Sequence, residues 1–163
     1  MYYTYLDTPI GELLIAGDPQ ALHEIGFPQG RKRRRAQPDW ERDDGVFTEV
    51  KSQLIEYFAG TRQSFSLALQ PSGTPFQLSV LDELLKIPYG ATASYREIAL
   101  RLGNPKAMRA VGAANGRNPI PLIIPCHRVI GSNGKLVGFG GGLPVKERLL
   151  ALEREHCPSP SMC

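Results

Sequence analysis

The chain has 163 residues, 42% hydrophobic and 21% charged, enough for one ordinary domain or two small ones sharing a core. No apolar run approaches the roughly 20 residues of a membrane-spanning helix, and the N-terminus lacks the pattern of a secretory leader. The net charge of +3 hides an asymmetry: residues 1–70 carry 8 Lys/Arg against 10 Asp/Glu, whereas residues 71–163 carry 11 against 6.

Tyr2 to Asp7 is aromatic and extended, and Thr8-Pro9-Ile10-Gly11 is a turn. Glu12–Ala16 and Ala21–Phe27 continue as strands, which together predict an antiparallel meander. His23 is a lone histidine in the third strand and reads as structural or surface. The basic run Arg31-Lys32-Arg33-Arg34-Arg35 has no periodicity and reads as a solvated loop, with non-specific phosphate affinity or an import signal as the alternatives. Asp44 is placed to cap a helix to about Ala59, where Val46, Val50, Leu54, Tyr57 and Phe58 fall near helical spacing and Gly60 stops it. That helix is expected to cover the meander. A short strand at Phe65–Leu69 and the turn Gln70-Pro71-Ser72-Gly73 follow.

Thr74-Pro75-Phe76-Gln77 is a strong helix start: Thr as N-cap, Pro at the first helical position, Gln as return partner of a capping box. Leu78, Leu81, Leu84 and Leu85 carry it to Ile87-Pro88. Ser94-Tyr95-Arg96-Glu97 is a second capping box, opening a helix that Gly103 closes after Leu102. Asn104-Pro105 then starts a helix over Lys106–Ala114, and the pair reads as helix-turn-helix. Small residues crowd the second helix (Ala107, Ala110, Gly112, Ala113, Ala114), which allows very close approach of a partner, with Arg109 among them placed to enter a groove. Close packing inside the protein is the plainer use of such residues.

Asn115-Gly116-Arg117-Asn118-Pro119 is a turn, and Ile120 to Ile124 reads as an apolar strand interrupted by Pro121. Pro125 then removes a backbone donor and fixes φ, so the strand is expected to break there and present Cys126 at a cavity mouth. A free cysteine is usually a small buried hydrophobe. Here His127 follows directly, and a polarised imidazole raises the thiolate population. Neighbours in an extended chain point to opposite sides, so His127 can act on the sulfur through a water. Seven basic residues and one acid lie between Ser94 and Lys135, and such a face around a nucleophile points to an anionic partner, nucleic acid first. Val129-Ile130 leads to Ser132-Asn133-Gly134, a hairpin signal. Gly138-Phe139-Gly140-Gly141-Gly142 lacks the setting of a phosphate-binding loop and fits a lid better. Pro144–Glu153 is a final helix with Glu147 in its first turn, and the tail beyond it is expected to be disordered. Cys126, Cys157 and Cys163 make no disulfide framework, which favours a reducing compartment, and no Cys/His spacing suggests zinc.

The expected fold class is α/β (α+β). Residues 1–70 form a small N-terminal domain with an antiparallel sheet and a covering helix. Residues 71–155 form a mainly helical domain with the helix-turn-helix and a short active-site strand or hairpin, and 156–163 is a flexible tail.

Residues from about Thr74 to Leu152 resemble the C-terminal domain of the O6-alkylguanine-DNA alkyltransferases, the methylated-DNA–protein-cysteine methyltransferases. Pro125-Cys126-His127-Arg128-Val129 matches that family's active-site signature. Arg109-Ala110-Val111-Gly112, Asn118-Pro119, and Gly141-Gly142-Leu143 with Lys146-Glu147 accompany it in the family's order. The N-terminal part, including Tyr57-Phe58-Ala59-Gly60, resembles the family's smaller domain more loosely. Two departures stand out: Phe139 where many relatives have tyrosine, and Leu81 in place of a common tryptophan.

The resemblance implies direct repair by irreversible, single-turnover transfer of the alkyl group from O6-alkylguanine to Cys126 after base flipping; the sequence leaves O4-alkylthymine open as a second substrate. It makes Cys126 the acceptor, His127 the base through a water, Glu147 the orienter of His127, Tyr95 a donor toward the guanine ring, and Asn118 the brace of the turn. Arg109 fills the space of the extruded nucleotide. Contacts with DNA are expected from Thr92, Ser94, Ala107, Ala110, Gly112, Arg117 and Arg128, and with the base from Tyr95, Pro121, Val129, Phe139 and Gly140. The implied partner is double-stranded DNA, bound through the minor groove by a monomer, with no cofactor, metal or membrane, in the cytoplasm at the nucleoid or in a nucleus. Two rivals remain. A non-catalytic lesion-binding protein of the alkyltransferase-like kind is disfavoured by the presence of Cys126. A cysteine hydrolase built on Cys126, His127 and Glu147 is disfavoured by the helix-turn-helix and the basic face.

Overall fold

The computed structural model describes residues 1–27, 35–134, 139 and 141–157. Most of the Arg31–Arg35 run, Lys135, Gly140 and the tail from 158 lie outside the described residues. Strands β1 (Tyr2–Thr8), β2 (Gly11–Gly17) and β3 (Leu22–Gly26) form the expected meander. A short strand, β4 (Glu41–Arg42), joins it in parallel on the outside of β1, giving the order β3-β2-β1-β4. The central strand β2 is apolar and buried from Leu13 to Ala16. The ladder slips at Ala16/Gly17, where a Cβ on Gly17 would lie 2.5 Å from the Ala21 carbonyl oxygen.

Helix α1 (Thr48–Phe58) follows a 3-10 turn over Asp44–Phe47. The cap is Asp43 rather than Asp44: its Oδ1 accepts from Gly45 N at 2.9 Å. The expected strand at Phe65–Leu69 reduces to a single bridge between Leu69 and Leu22. Helix α2 (Pro75–Leu84) has the full capping box between Thr74 and Gln77, and β5 (Ala93–Ser94) leads into α3 (Tyr95–Arg101), capped reciprocally by Ser94 and Glu97. Helix α4 (Met108–Gly116) packs against α3 and α2. It starts two residues later than expected, because Asn104 opens a turn closed by Ala107 N to Asn104 O at 3.0 Å.

Ile120–Ile124 is not a strand. Pro119 and Pro121 have no N–H to give a ladder, and Asn118 folds the segment on itself. Its Nδ2 donates to Ile124 O at 2.8 Å and its Oδ1 accepts from Ile120 N at 2.9 Å. Leu122 adopts a left-handed φ of 74° as a result. Cys126–Arg128 forms a 3-10 turn, and β6 (Val129–Ile130) pairs in parallel with β5. The hairpin signal at Ser132–Gly134 is a tight turn, Gly134 N to Gly131 O at 2.9 Å, with no return strand among the described residues.

Helix α5 (Leu143–Glu155) closes the chain. One buried cluster runs from Ile10 of the β1–β2 turn to Leu149 of α5, so both halves share a core. Ile25 N to Pro119 O at 2.9 Å and Arg148 Nη1 to Pro9 O at 2.7 Å tie the sheet to the helical half. Among the described residues no helix is long and apolar enough to cross a membrane. Cys157 is disulfide-bonded, a departure from the expectation for the cysteines of the tail.

Candidate active site

The 3-10 turn puts Cys126, His127 and Arg128 about 120° apart around its axis instead of on alternating sides of a strand. Cys126 is not part of a disulfide and is 5% exposed. His127 is fully buried, and its Nε2 lies 2.6 Å from Glu153 Oε2. Burial would raise the Glu153 pKa, but the bonds from His127 and Arg128 outweigh it and bring it down to about 2. An ionised carboxylate only accepts, so His127 Nε2 carries the proton of the neutral ring. Burial pushes the His127 pKa below its ordinary value, against the opposing pull of Glu153. The ring is therefore neutral at pH 7, with a lone pair on Nδ1, and among the described residues no group bonds that buried atom.

Glu147 does not hold this position. It is exposed on α5, and the buried face of that helix is Lys146, Leu149, Leu150 and Glu153. The sequence carries the signal: Leu149 and Leu150 set the inward stripe, and helical periodicity puts residues 146 and 153 on it and 147 off it.

Lys146, which sequence reasoning left without a role, is buried, and its Nζ donates to Val129 O at 2.5 Å. Burial lowers its pKa to about 8, against the attraction of Cys126. The interaction runs both ways: an ammonium near the sulfur favours thiolate. Tyr95 is half-buried beside the same sulfur. Its hydroxyl pKa is raised by burial and by the Cys126 charge, while a bond from Asn115 lowers it. Asn115 also donates from Nδ2 to Cys126 O at 3.4 Å, a second contact not foreseen from the sequence. Asn118 braces the turn before the cysteine as expected.

Arg128 is corrected from a DNA contact to a buried structural cation. Nε donates to Glu153 Oε1 at 2.7 Å, Nη2 to Glu153 Oε2 at 3.1 Å and Nη1 to Ile87 O at 2.7 Å. Pairing with a buried carboxylate uses the guanidinium fork and takes it off the surface. Ser94 is buried with its hydroxyl engaged in the α3 cap. The other residues expected on DNA lie outward: Thr92, Arg109, Ala110 and Arg117 are exposed, and Ala107 and Gly112 partly so. Helix α4 thus turns Val111, Ala114 and Asn115 inward and offers Arg109 between small residues. Pro121 and Val129 are buried near the thiol in sequence, and Phe139 rests on Phe27, ring centres 5.3 Å apart. Gly140 lies outside the described residues. No group of His, Cys, Asp and Glu side chains among the described residues could hold a metal ion.

The arrangement is a thiol with a cation beside it and a neutral imidazole held by an ionised carboxylate, set behind a helix-turn-helix with an exposed arginine. Comparison with known proteins points the same way. The family described as "6-O-methylguanine DNA methyltransferase, DNA binding domain" matches residues 75–155, and its companion "ribonuclease-like domain" matches residues 1–71. A methylated-DNA–protein-cysteine methyltransferase of Methanosarcina acetivorans is 52% identical, covering 94% of this chain and 98% of that protein. The one from Haemophilus influenzae is 45% identical over 94% of this chain and 87% of its own. The crystal structure of Mycobacterium tuberculosis OGT in complex with DNA superposes with a TM-score of 0.91 at 45% identity, covering 98% of this chain and 96% of that one. The chain belongs to the 6-O-methylguanine DNA methyltransferase family.

Proposed function

We propose that this chain repairs DNA directly, moving the alkyl group from guanine O6 to the sulfur of Cys126. The observation that carries the reading is the setting of Cys126. The charge of Lys146 favours its thiolate, and His127 offers an unbonded Nδ1 while Glu153 fixes its other nitrogen. In the reaction the thiol proton passes to His127 Nδ1 through a water. The thiolate attacks the alkyl carbon, an S–C bond forms as the C–O6 bond breaks, and the guanine anion leaves. Tyr95 stabilises that anion by a hydrogen bond toward the ring. The product thioether has no carbonyl for water to attack, so each molecule acts once. An O6-alkyl group sits at the pairing edge of a stacked base, so the nucleotide must be extruded before a thiol inside the protein can reach it.

Arg109 on α4 then takes the vacated place in the stack, and the small residues beside it suit close approach to the minor groove. The protein acts as a monomer on duplex DNA, in the cytoplasm at the nucleoid, or in a nucleus. Residues 1–70 serve as the buttressing domain and 71–155 as the DNA-binding and reactive one. Pro121, Val129 and Phe139 line the base pocket. The test is Cys126→Ala. It should bind a duplex containing O6-methylguanine as tightly as the wild type and transfer nothing; retained transfer would overturn the mechanism.

A further inference from the structure

Resting on that reading, we propose that Tyr57, in the sheet-bearing half of the chain, is a positioning residue for the reactive pair. Its hydroxyl fixes the Glu153 carboxylate where it bonds His127. Tyr57 lies on α1 and is fully buried. Its hydroxyl donates to Glu153 Oε2 at 2.6 Å, the same oxygen that His127 Nε2 reaches at 2.6 Å. Buried apolar packing at this place needs only the ring, which a phenylalanine would supply. The ring is set by Phe58 and Phe65, with centres 5.3 and 5.5 Å away, and by Tyr89 at 6.3 Å. The hydroxyl therefore has one well-defined place, on the carboxylate that governs the base.

The charged and titratable groups around that carboxylate come from several elements. Arg128 grips both oxygens, and Gly90 N approaches Oε1 at 3.4 Å. Tyr89 and Arg128 both act on Tyr57, and Lys146 acts on His127 by its charge. Tyr57 is the member of this set that comes from the sheet-bearing half. Removing its hydroxyl does two things. It frees the carboxylate to move, which disturbs the direction of His127 Nδ1. It also takes one donor from Oε2, so the remaining bond to His127 strengthens and the imidazolium form is favoured.

The experiment is Tyr57→Phe in the full chain, read as the rate of methyl transfer from free O6-methylguanine base against pH, alone and in a His127→Ala background. Transfer by the wild type onto Cys126, followed by protein mass, is the control. The expected result has two parts. The plateau rate falls about 3- to 10-fold, the net value of one hydrogen bond, because Glu153 keeps its bonds from His127 and Arg128. The acid limb moves to higher pH. In the His127→Ala background the substitution then changes nothing further. An unmoved acid limb, or an equal slowing in both backgrounds, would reduce Tyr57 to a structural residue and overturn the proposal. A wild type that takes up no methyl would instead remove the reading on which it rests.

Discussion

Lys146 and Glu153 share one buried face of α5, about two turns apart, and serve opposite ends of the reactive pair. Lys146 sets its charge against Cys126, and Glu153 holds the ring of His127. A single helix thus places the group that favours the thiolate and the group that orients the base. Their spacing is fixed by the backbone, independent of the loop that precedes α5.

The two glutamates of α5 should separate cleanly. Glu153→Gln removes a buried charge from between His127 and Arg128 and leaves the guanidinium unpaired. Stability should fall by about 3 kcal/mol and transfer by on the order of a hundredfold. Glu147→Gln, at an exposed position, should stay near the wild type in both. Urea unfolding and single-turnover rates check the pair.

Lys146→Met keeps the length of the buried side chain and deletes its charge. The titration midpoint of Cys126, followed by its alkylation rate with iodoacetamide against pH, should rise by about one unit or more. An unchanged midpoint would show that the ammonium does not govern the thiolate.

Stability should fall on acidification, from two groups of the same sign. Glu153 titrates at about 2 in the folded chain against 4.5 as its ordinary value. Its contribution is present above the unfolded value and is lost as pH falls from there toward 2, about 3 kcal/mol in all. His127 is held below its ordinary 6.5, so the unfolded chain binds that proton first and stability already declines below about pH 6.5. Melting temperature against pH for the wild type and Glu153→Gln should differ most above pH 4.5 and converge toward pH 2.

Arg109→Ala should slow repair in duplex DNA by on the order of tenfold to a hundredfold, about 1–3 kcal/mol, and leave reaction with the free alkylated base near the wild type. Equal losses on both substrates would refute a role in the base stack.

The helices and the meander were legible because their signals are local. Thr74 with Gln77 and Ser94 with Glu97 announce helix starts that the structure contains, reciprocal bonds included. Ile120–Ile124 reads as a strand because an apolar run of that length looks the same as a strand or as a buried turn, and the choice is made by the Asn118 side chain. Cys126 and His127 were evident as neighbours in the chain. Glu153, Lys146 and Arg128 needed helix phase and tertiary pairing. The stripe of Leu149 and Leu150 held the first two, while nothing local told that Arg128 would turn inward. The bond from Tyr57 to Glu153 joins residues distant in sequence and had no local trace.

The most direct measurement is the intact mass of the protein after incubation with duplex DNA carrying O6-methylguanine, followed by peptide mapping. The expected result is a gain of one methyl group, located on Cys126 and saturating at one per molecule. An unchanged mass, a methyl on another residue, or continued turnover beyond one equivalent would contradict it.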